Sequence, residues 1–387
     1  MIQLGVSLYP EQETLKDVEA YVSMASAHGF TKVFTSMFSV KGTREEVVGY
    51  FKEFTKIAHK YNMKVSGDCN SEFFERMGAT ERDLSVFKDM GIDIIRMDFS
   101  FHDQRDAVLI NNKDNIGIEM STAFIEVIEG AIANGANVEN LSTCHNFYPQ
   151  KYTAPSMEAI RRLNGYWREK GIKTAIFISS TKEGTHGPWP VSDGLPTIEE
   201  HRQLPIEVQL THCLAMGDVD EILIGNAFAG EEEFKAIRRV MDKAFVTIPV
   251  NENLGFLKDY VAHGDVRRIP FYVELEEGVT DLEREILFDF PSHSDMGDCM
   301  HYMLRSRLPR ILYRGRSIPE RNCHKTHYTK GDVVIVNDNL SHYLGEIQVV
   351  LKDMPVDGQR NLIGRIREDE IFILDEIKAG DGFTFME

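Results

Sequence analysis

Polar residues recur where the short apolar runs of this chain end, and several are of types that move protons. GDCN carries Asp68 and Asn70, RMD carries Arg96 and Asp98, and EMS carries Glu119 and Ser121. Further on, CHN holds His145 and Asn146, SST holds Ser179, Ser180 and Thr181, and GN holds Asn226. Any one of these is unremarkable as a turn or cap residue. Three carboxylates in consecutive connections are harder to dismiss. Like charges gathered in one place cost folding energy, and function is the usual reason to keep them.

Two carboxylates flanking a sugar ring suffice for glycoside hydrolysis: one protonates the leaving oxygen, the other attacks or activates water. Asp98 and Glu119 are the expected pair, facing each other from the ends of adjacent strands. Arg96 stands two residues before Asp98 and so shares its face of the strand, where it keeps Asp98 ionised. Glu119, between Ile118 and Met120, is then the acid. A plain interior Arg96–Asp98 ion pair is the competing reading. The same set supports a second reaction class. Asp68, Asp98, Glu119 and His145 could bind one Mn or Mg ion in a metal-dependent sugar-phosphate isomerase or epimerase. No H-x-H or H-E-x-x-H spacing strengthens it. The preferred reading uses no metal and no cofactor.

Asp68, His145 and Asn146 are expected to bind substrate beside the pair. Ser179, Ser180 and Asn226 are placed to hold a phosphate, which barrels commonly seat on the loops after strands seven and eight. The helix that follows opens with Glu231, Glu232 and Glu233, which would repel an anion. The Pro- and Gly-rich stretch Glu183–Leu204 has the length of a lid or binding loop, and its Trp189 suits stacking on a sugar face. RSRLPRILYRGR gathers Arg305, Arg307, Arg310, Arg314 and Arg316, a local excess that suggests an anion site, with Arg305 and Arg307 as its ligands.

The elements that must carry these residues follow from periodicity. Apolar β-branched runs Leu4–Leu8, Lys32–Ser36, Lys64–Gly67, Ile94–Met97, Ile116–Met120, Leu141–Cys144, Thr174–Ser179 and Glu221–Ile224 alternate with stretches of helical period. The helices include Thr14–His28, Arg44–Tyr61, Thr122–Asn134, Ser156–Lys170, Pro205–Gly217 and Glu231–Lys243, several ending in Gly. Eight such strands spell an α/β fold, a closed (β/α)8 TIM barrel over residues 1–246 with its site at the carboxyl ends of the strands. An open doubly wound sheet would show a Gly-rich turn after the first strand, and LYPEQ has none. After Phe245 the period changes. Phe271–Leu275, Asp332–Asn337, Leu344–Leu351, Leu362–Arg367, Ile371–Leu374 and the closing KAGDGFTFME read as strands of a small antiparallel β-barrel over 258–387. The boundary falls near Thr247–Leu257.

Composition bounds the partners. A formal charge of −18 disfavours nucleic acid and anionic membrane surfaces, and no apolar stretch reaches the length of a membrane span. MIQLGVSLYPEQ lacks the basic and apolar regions of a signal peptide. The five cysteines are scattered, odd in number and form no C-x-x-C, which fits a reducing cytoplasm. A non-catalytic surface protein would need the missing secretion signal. The partner expected is a small-molecule phosphorylated amino-sugar substrate; the second domain either folds back over the barrel mouth or reaches across to it in a homodimer.

Six motifs in order, LGVSLYP, GDCNSEFFERMG, IIRMDFSF, CHNFYPQKYT, GPWPVSDGLPTIEEHR and EILIGNAF, resemble the 6-phospho-N-acetylmuramidases, glycoside hydrolase family 170. The resemblance runs end to end and implies a barrel followed by a cyclophilin-like β domain. It also implies a substrate like N-acetylmuramic acid 6-phosphate linked to N-acetylglucosamine, met during peptidoglycan recycling. The arginine cluster would then hold the lactyl carboxylate. No catalytic pair is carried over from the family.

Overall fold

The structure, a computed structural model, describes residues 2–10, 12–190, 193–248, 264–297 and 301–387. Two compact units emerge: Met1–Cys213 with Gly217–Arg238, and Leu214–Met216 with Arg239–Glu387. Most of the expected boundary, Thr247–Leu257, lies outside the described residues.

In the first unit, eight strands close into a parallel barrel: β1 (Gln3–Leu8), β2 (Lys32–Ser36), β3 (Lys64–Cys69), β4 (Ile94–Met97), β5 (Gly117–Ser121), β6 (Leu141–Cys144), β7 (Lys173–Ile178) and β8 (Glu221–Ile224). Their order round the barrel is their order in the chain, and β1 pairs with both β2 and β8. The helices are α1 (Leu15–Ala27), α2 (Arg44–Lys60), α3 (Ser71–Arg76), α4 (Ser85–Asp89), α5 (Arg105–Ile110), α6 (Ile125–Ala133), α7 (Met157–Glu169), α8 (Ile206–Met216) and α9 (Glu231–Ala244). Short helices α3 to α5 were not expected, since five or six residues carry too little period to read.

Local chemistry explains the breaks. Thr14 with Asp17 and Thr43 with Glu46 form capping boxes that start α1 and α2 by satisfying free backbone N–H groups. At the other end, Gly217 takes φ 71 after α8, a left-handed turn that a side chain would resist. Valine and isoleucine at alternate strand positions point outwards beneath the helices, while Ser7, Ser66, Arg96 and Glu119 point inwards and are buried. The barrel axis is therefore unusually polar, and this sets up the site.

The second unit is built on β9 (Phe245–Ile248), β10 (Gly264–Leu275), β11 (His293–Ser294), β12 (Met303–Ser306), β13 (His327–Tyr328), β14 (Asp332–Val336), β15 (Ile347–Val350), β16 (Met354–Pro355), β17 (Arg360–Ile366) and β18 (Gly382–Met386). Its main sheet runs β11-β18-β10-β17-β14-β15-β12, with β9 added to β10. A bridge between Asp295 and Ser306 brings the β11 end against the β12 end, so the sheet is a nearly closed barrel. Two expectations are corrected. Ile371–Leu374 lies in a 3-10 segment, Glu368–Glu376, tied down by Glu370, which accepts the Tyr272 N–H at 2.7 Å. The closing strand β18 pairs parallel to β10, so the sheet is mixed rather than wholly antiparallel.

Candidate active site

Strand alternation decides which polar residues reach the barrel mouth. Asp68 on β3 and Arg96 on β4 are register partners, and Arg96 Nη1 donates to Asp68 Oδ1 at 2.7 Å. The same nitrogen lies 3.9 Å from Asp98 Oδ1. Both carboxylates therefore stand within the span of one guanidinium. Arg96 Nη2 donates to Asn146 Oδ1, which draws the end of β6 into the group. Asp68 and Arg96 are buried, whereas the Asp98 side chain is 52% exposed. Burial pushes the Asp68 carboxyl above its ordinary range, and Arg96 only partly opposes this. Arg96 itself is held protonated: its own burial works most strongly against the charge, but the surrounding groups, Asp68 foremost, together outweigh it.

These residues open into a cavity of about 190 Å³ that is also lined by Tyr9, Phe34, Ser36, Phe38, Phe147, Pro149, Pro188 and Trp189. Phe147 packs edge-on against Phe34 and Phe177 and lies 6.4 Å from Trp189, whose ring is 46% exposed. One wall of the cavity is thus aromatic and the other ionic, which suits a sugar with its apolar face and its hydroxyl edge. Tyr9 and Ser36 sit where β1 and β2 end. The strand-end rule that picked out Asp68 finds them too, once it is applied to the first two strands.

The described residues on either side of Trp189 are tied to the barrel by side-chain bonds. Gln12 donates to the Gly187 carbonyl at 2.8 Å, and His186 Nε2 lies 3.0 Å from the buried Glu13 carboxylate. Burial raises the proton affinity of Glu13, against the His186 bond. Arg202 donates to the Tyr148 and Asp193 carbonyls, at 2.9 and 3.0 Å, and pairs with Glu199 at 2.6 Å. Those bonds tie the β6–α7 and β7–α8 connections together.

Other expected residues lie elsewhere. Glu119 does not face Asp98. It is 1% exposed, deep in the barrel, with Lys32 Nζ 2.7 Å from its Oε2. The physical reason is position: β5 runs on to Ser121, so Glu119 is mid-strand instead of at the rim. His145 points away from the axis, as the neighbour of an inward Asn146 must, and contacts Thr122 Oγ1 and Asn164 Oδ1 at 3.1 and 2.7 Å. Its burial lowers its affinity for a proton, against the Asn164 bond.

Ser179, Ser180 and Asn226 are brought together, but chiefly to bond one another. Asn226 accepts from the Ser180 N–H and donates to the Ser180 carbonyl, while Ser180 Oγ donates to Glu233 at 2.6 Å. Beside them lies a smaller cavity of about 120 Å³ that adds Thr181, Lys182, Thr185 and His186 to its lining. Arg305 grips the buried Glu346 carboxylate with two bonds, of 2.6 and 2.9 Å. Arg305 and Arg310 both lie over the Tyr343 ring. Among the described residues, no three His, Cys, Asp or Glu side chains converge as a metal would require, so the four ligands of the isomerase reading do not come together as one set.

A parallel barrel whose mouth sets two carboxylates against an aromatic wall has the form of a glycosidase. The chain belongs to the 6-phospho-N-acetylmuramidase family: the N-terminal family model matches residues 4–239 and the C-terminal one residues 269–386. Among solved structures, an uncharacterized B. cereus protein is 34% identical, with a TM-score of 0.84 over 100% of this chain and 99% of that one. A conserved protein of unknown function from Enterococcus faecalis is 24% identical, with a TM-score of 0.68 over 99% and 96%, a likeness of fold alone. No curated protein matches the chain.

Proposed function

We propose that this chain hydrolyses the glycosidic bond of a 6-phosphorylated N-acetylmuramyl-N-acetylglucosamine disaccharide, in the cytoplasm, as a step in peptidoglycan recycling. The observation that carries the reading is the Asp68–Arg96–Asp98 group at the mouth of the cavity. Asp68, buried and slow to ionise, is the acid that protonates the leaving oxygen. Asp98, open to solvent beside a cation, attacks the anomeric carbon or activates the water that does. Arg96 holds both in place, and Asn146 fixes Arg96. Glu119, the acid expected from sequence, yields that role to Asp68 because it does not reach the cavity. The cytoplasmic setting is supported by the free thiols of the four cysteines among the described residues, Cys69, Cys144, Cys213 and Cys323.

For the 6-phosphate we propose the smaller cavity, with Lys182 and Thr181 as ligands in place of the mutually bonded Ser180 and Asn226. Hydrogen bonds to a charged group contribute about 1.5–3 kcal/mol each, so two of them predict that dephosphorylating the disaccharide lowers kcat/KM by at least about a hundredfold. Rates on the two disaccharides, followed by mass spectrometry of the released sugars, test this. Equal rates would overturn both the phosphate site and the substrate assignment. Trp189 is proposed to stack on the sugar. Trp189→Ala is expected to raise KM about three- to tenfold with little change in kcat, since stacking acts in ground and transition states alike. A fall in kcat with KM unchanged would place Trp189 in the chemical step instead.

A further inference from the structure

Below the mouth, the barrel interior holds more negative charge than its fold requires. Lys32 Nζ donates to Glu119 Oε2 and to Glu221 Oε2, each at 2.7 Å, and none of the three side chains is more than 11% exposed. One ammonium therefore faces two carboxylates. A buried anion without its own cation is destabilising, and a single carboxylate would satisfy Lys32. The surplus carboxylate calls for a role other than stability.

The sheet register shows what Glu119 stands next to. It pairs with Arg96 on β4, and Arg96 pairs with Asp68 on β3. Paired residues of a parallel sheet share a face, so charge alternates across the interior from Glu221 through Lys32, Glu119 and Arg96 to Asp68, with Asp98 beyond. Cys144 on β6, Cys69 on β3 and Tyr9 at the end of β1 are further titratable groups coupled to this set, and burial keeps each of them neutral. Glu119 Oε1 and Arg96 Nε are buried without a protein partner, as are the hydroxyls of Ser7, Ser36 and Ser66. Polar atoms in such number on inward positions suit bound water that joins Glu119 to Arg96.

We infer that Glu119 is a positioning residue for the hydrolysis, holding the catalytic proton on Asp68 by opposing, from below, the pull of Arg96. The inference rests on the reading of Asp68 as the acid. Its physical basis is the competition at Asp68: burial favours the protonated form, Arg96 disfavours it, and the charges of Asp98 and Glu119 restore it. Removing the Glu119 charge tips that competition towards ionisation. An acid works only while protonated, so activity falls as pH rises through its pKa, and Glu119→Gln must bring that fall to lower pH.

The test compares pH profiles of kcat/KM for the full-length protein on the phosphorylated disaccharide. Glu119→Gln is expected to move the alkaline limb by roughly a few tenths of a pH unit towards acid, since burial, Arg96 and Asp98 all act on Asp68 more strongly. It should melt no lower than the parent, since Lys32 and Glu221 remain as a balanced pair. Glu221→Gln leaves Lys32 equally balanced but acts from the far end of the charge series, so it should move the limb less. An unmoved limb in Glu119→Gln, an equal shift in Glu221→Gln, or failure of both variants to fold would each overturn the proposal. The Asp68 reading is tested separately. Asp68→Asn should retain activity on an aryl glycoside whose acidic phenol leaves without a proton, and loss there removes Asp68 as the acid whatever Glu119→Gln does.

Discussion

Asp98→Asn is expected to lower kcat on the phosphorylated disaccharide by about three decades, and Asp68→Asn by at least two, in a protein that still folds. The two variants report different steps. Asp98 is half exposed, and Arg96 Nη1 stands 3.9 Å from it, so replacing its charge costs little stability. Its loss removes the group that attacks or activates water, which no neighbour supplies. Asp68 is buried against Arg96, so its amide leaves a cation less well matched and should lower the melting temperature slightly. Single-turnover rates with circular dichroism on the same samples separate the two effects. Wild-type rates in Asp98→Asn would remove that residue from the chemistry.

The second large effect concerns stability. Arg96→Leu leaves Asp68 buried beside no cation, and breaking a buried pair from one side costs about 3–5 kcal/mol. For a unit of this size that is a fall in Tm of the order of 10 °C, with activity lost as well. Adding Asp68→Leu to Arg96→Leu removes the stranded carboxyl, which without Arg96 is a buried polar group lacking its partner, and should recover much of the melting temperature but none of the activity. Thermal melts of the single and double variants decide it. A single variant that melts like the parent would mean that water reaches Asp68 and that the pair is not the anchor of the mouth.

The fold was legible because its signals are local and repeated. Each strand is a short β-branched run, and each misjudged barrel-strand boundary is off by one residue, as in Gly117–Ser121 for Ile116–Met120, or by two, as in Cys69 for Gly67. That one-residue error mattered more for the site than for the fold. It put Glu119 near the rim, whereas its partner Lys32, eighty-seven positions earlier in the chain, holds it in the interior. Nothing in KVFTS marks its first residue as inward-facing. Arg96 and Asp98 were readable as neighbours because a spacing of two guarantees a shared face. In CHN the same alternation means that only one of His145 and Asn146 faces the axis, and the sequence does not say which. The serines and Asn226 looked like free ligands because their mutual bonds join residues 46 positions apart. Arg305 misled for a like reason, since Glu346 sits 41 residues away, just ahead of β15.

The parallel pairing of β10 with β18 has a consequence for how the second unit forms. Arg268–Tyr272 must wait for Gly382–Met386, more than a hundred residues later, before that edge is covered. Contacts of such long range are made late, because the loop entropy must be met before they stabilise anything. During synthesis β10 therefore emerges with one row of N–H and C=O groups open, in an apolar stretch that invites pairing with another chain. Two features blunt that hazard: Pro270, which lacks an N–H, and the neighbouring Arg267 and Arg268, whose charges discourage association.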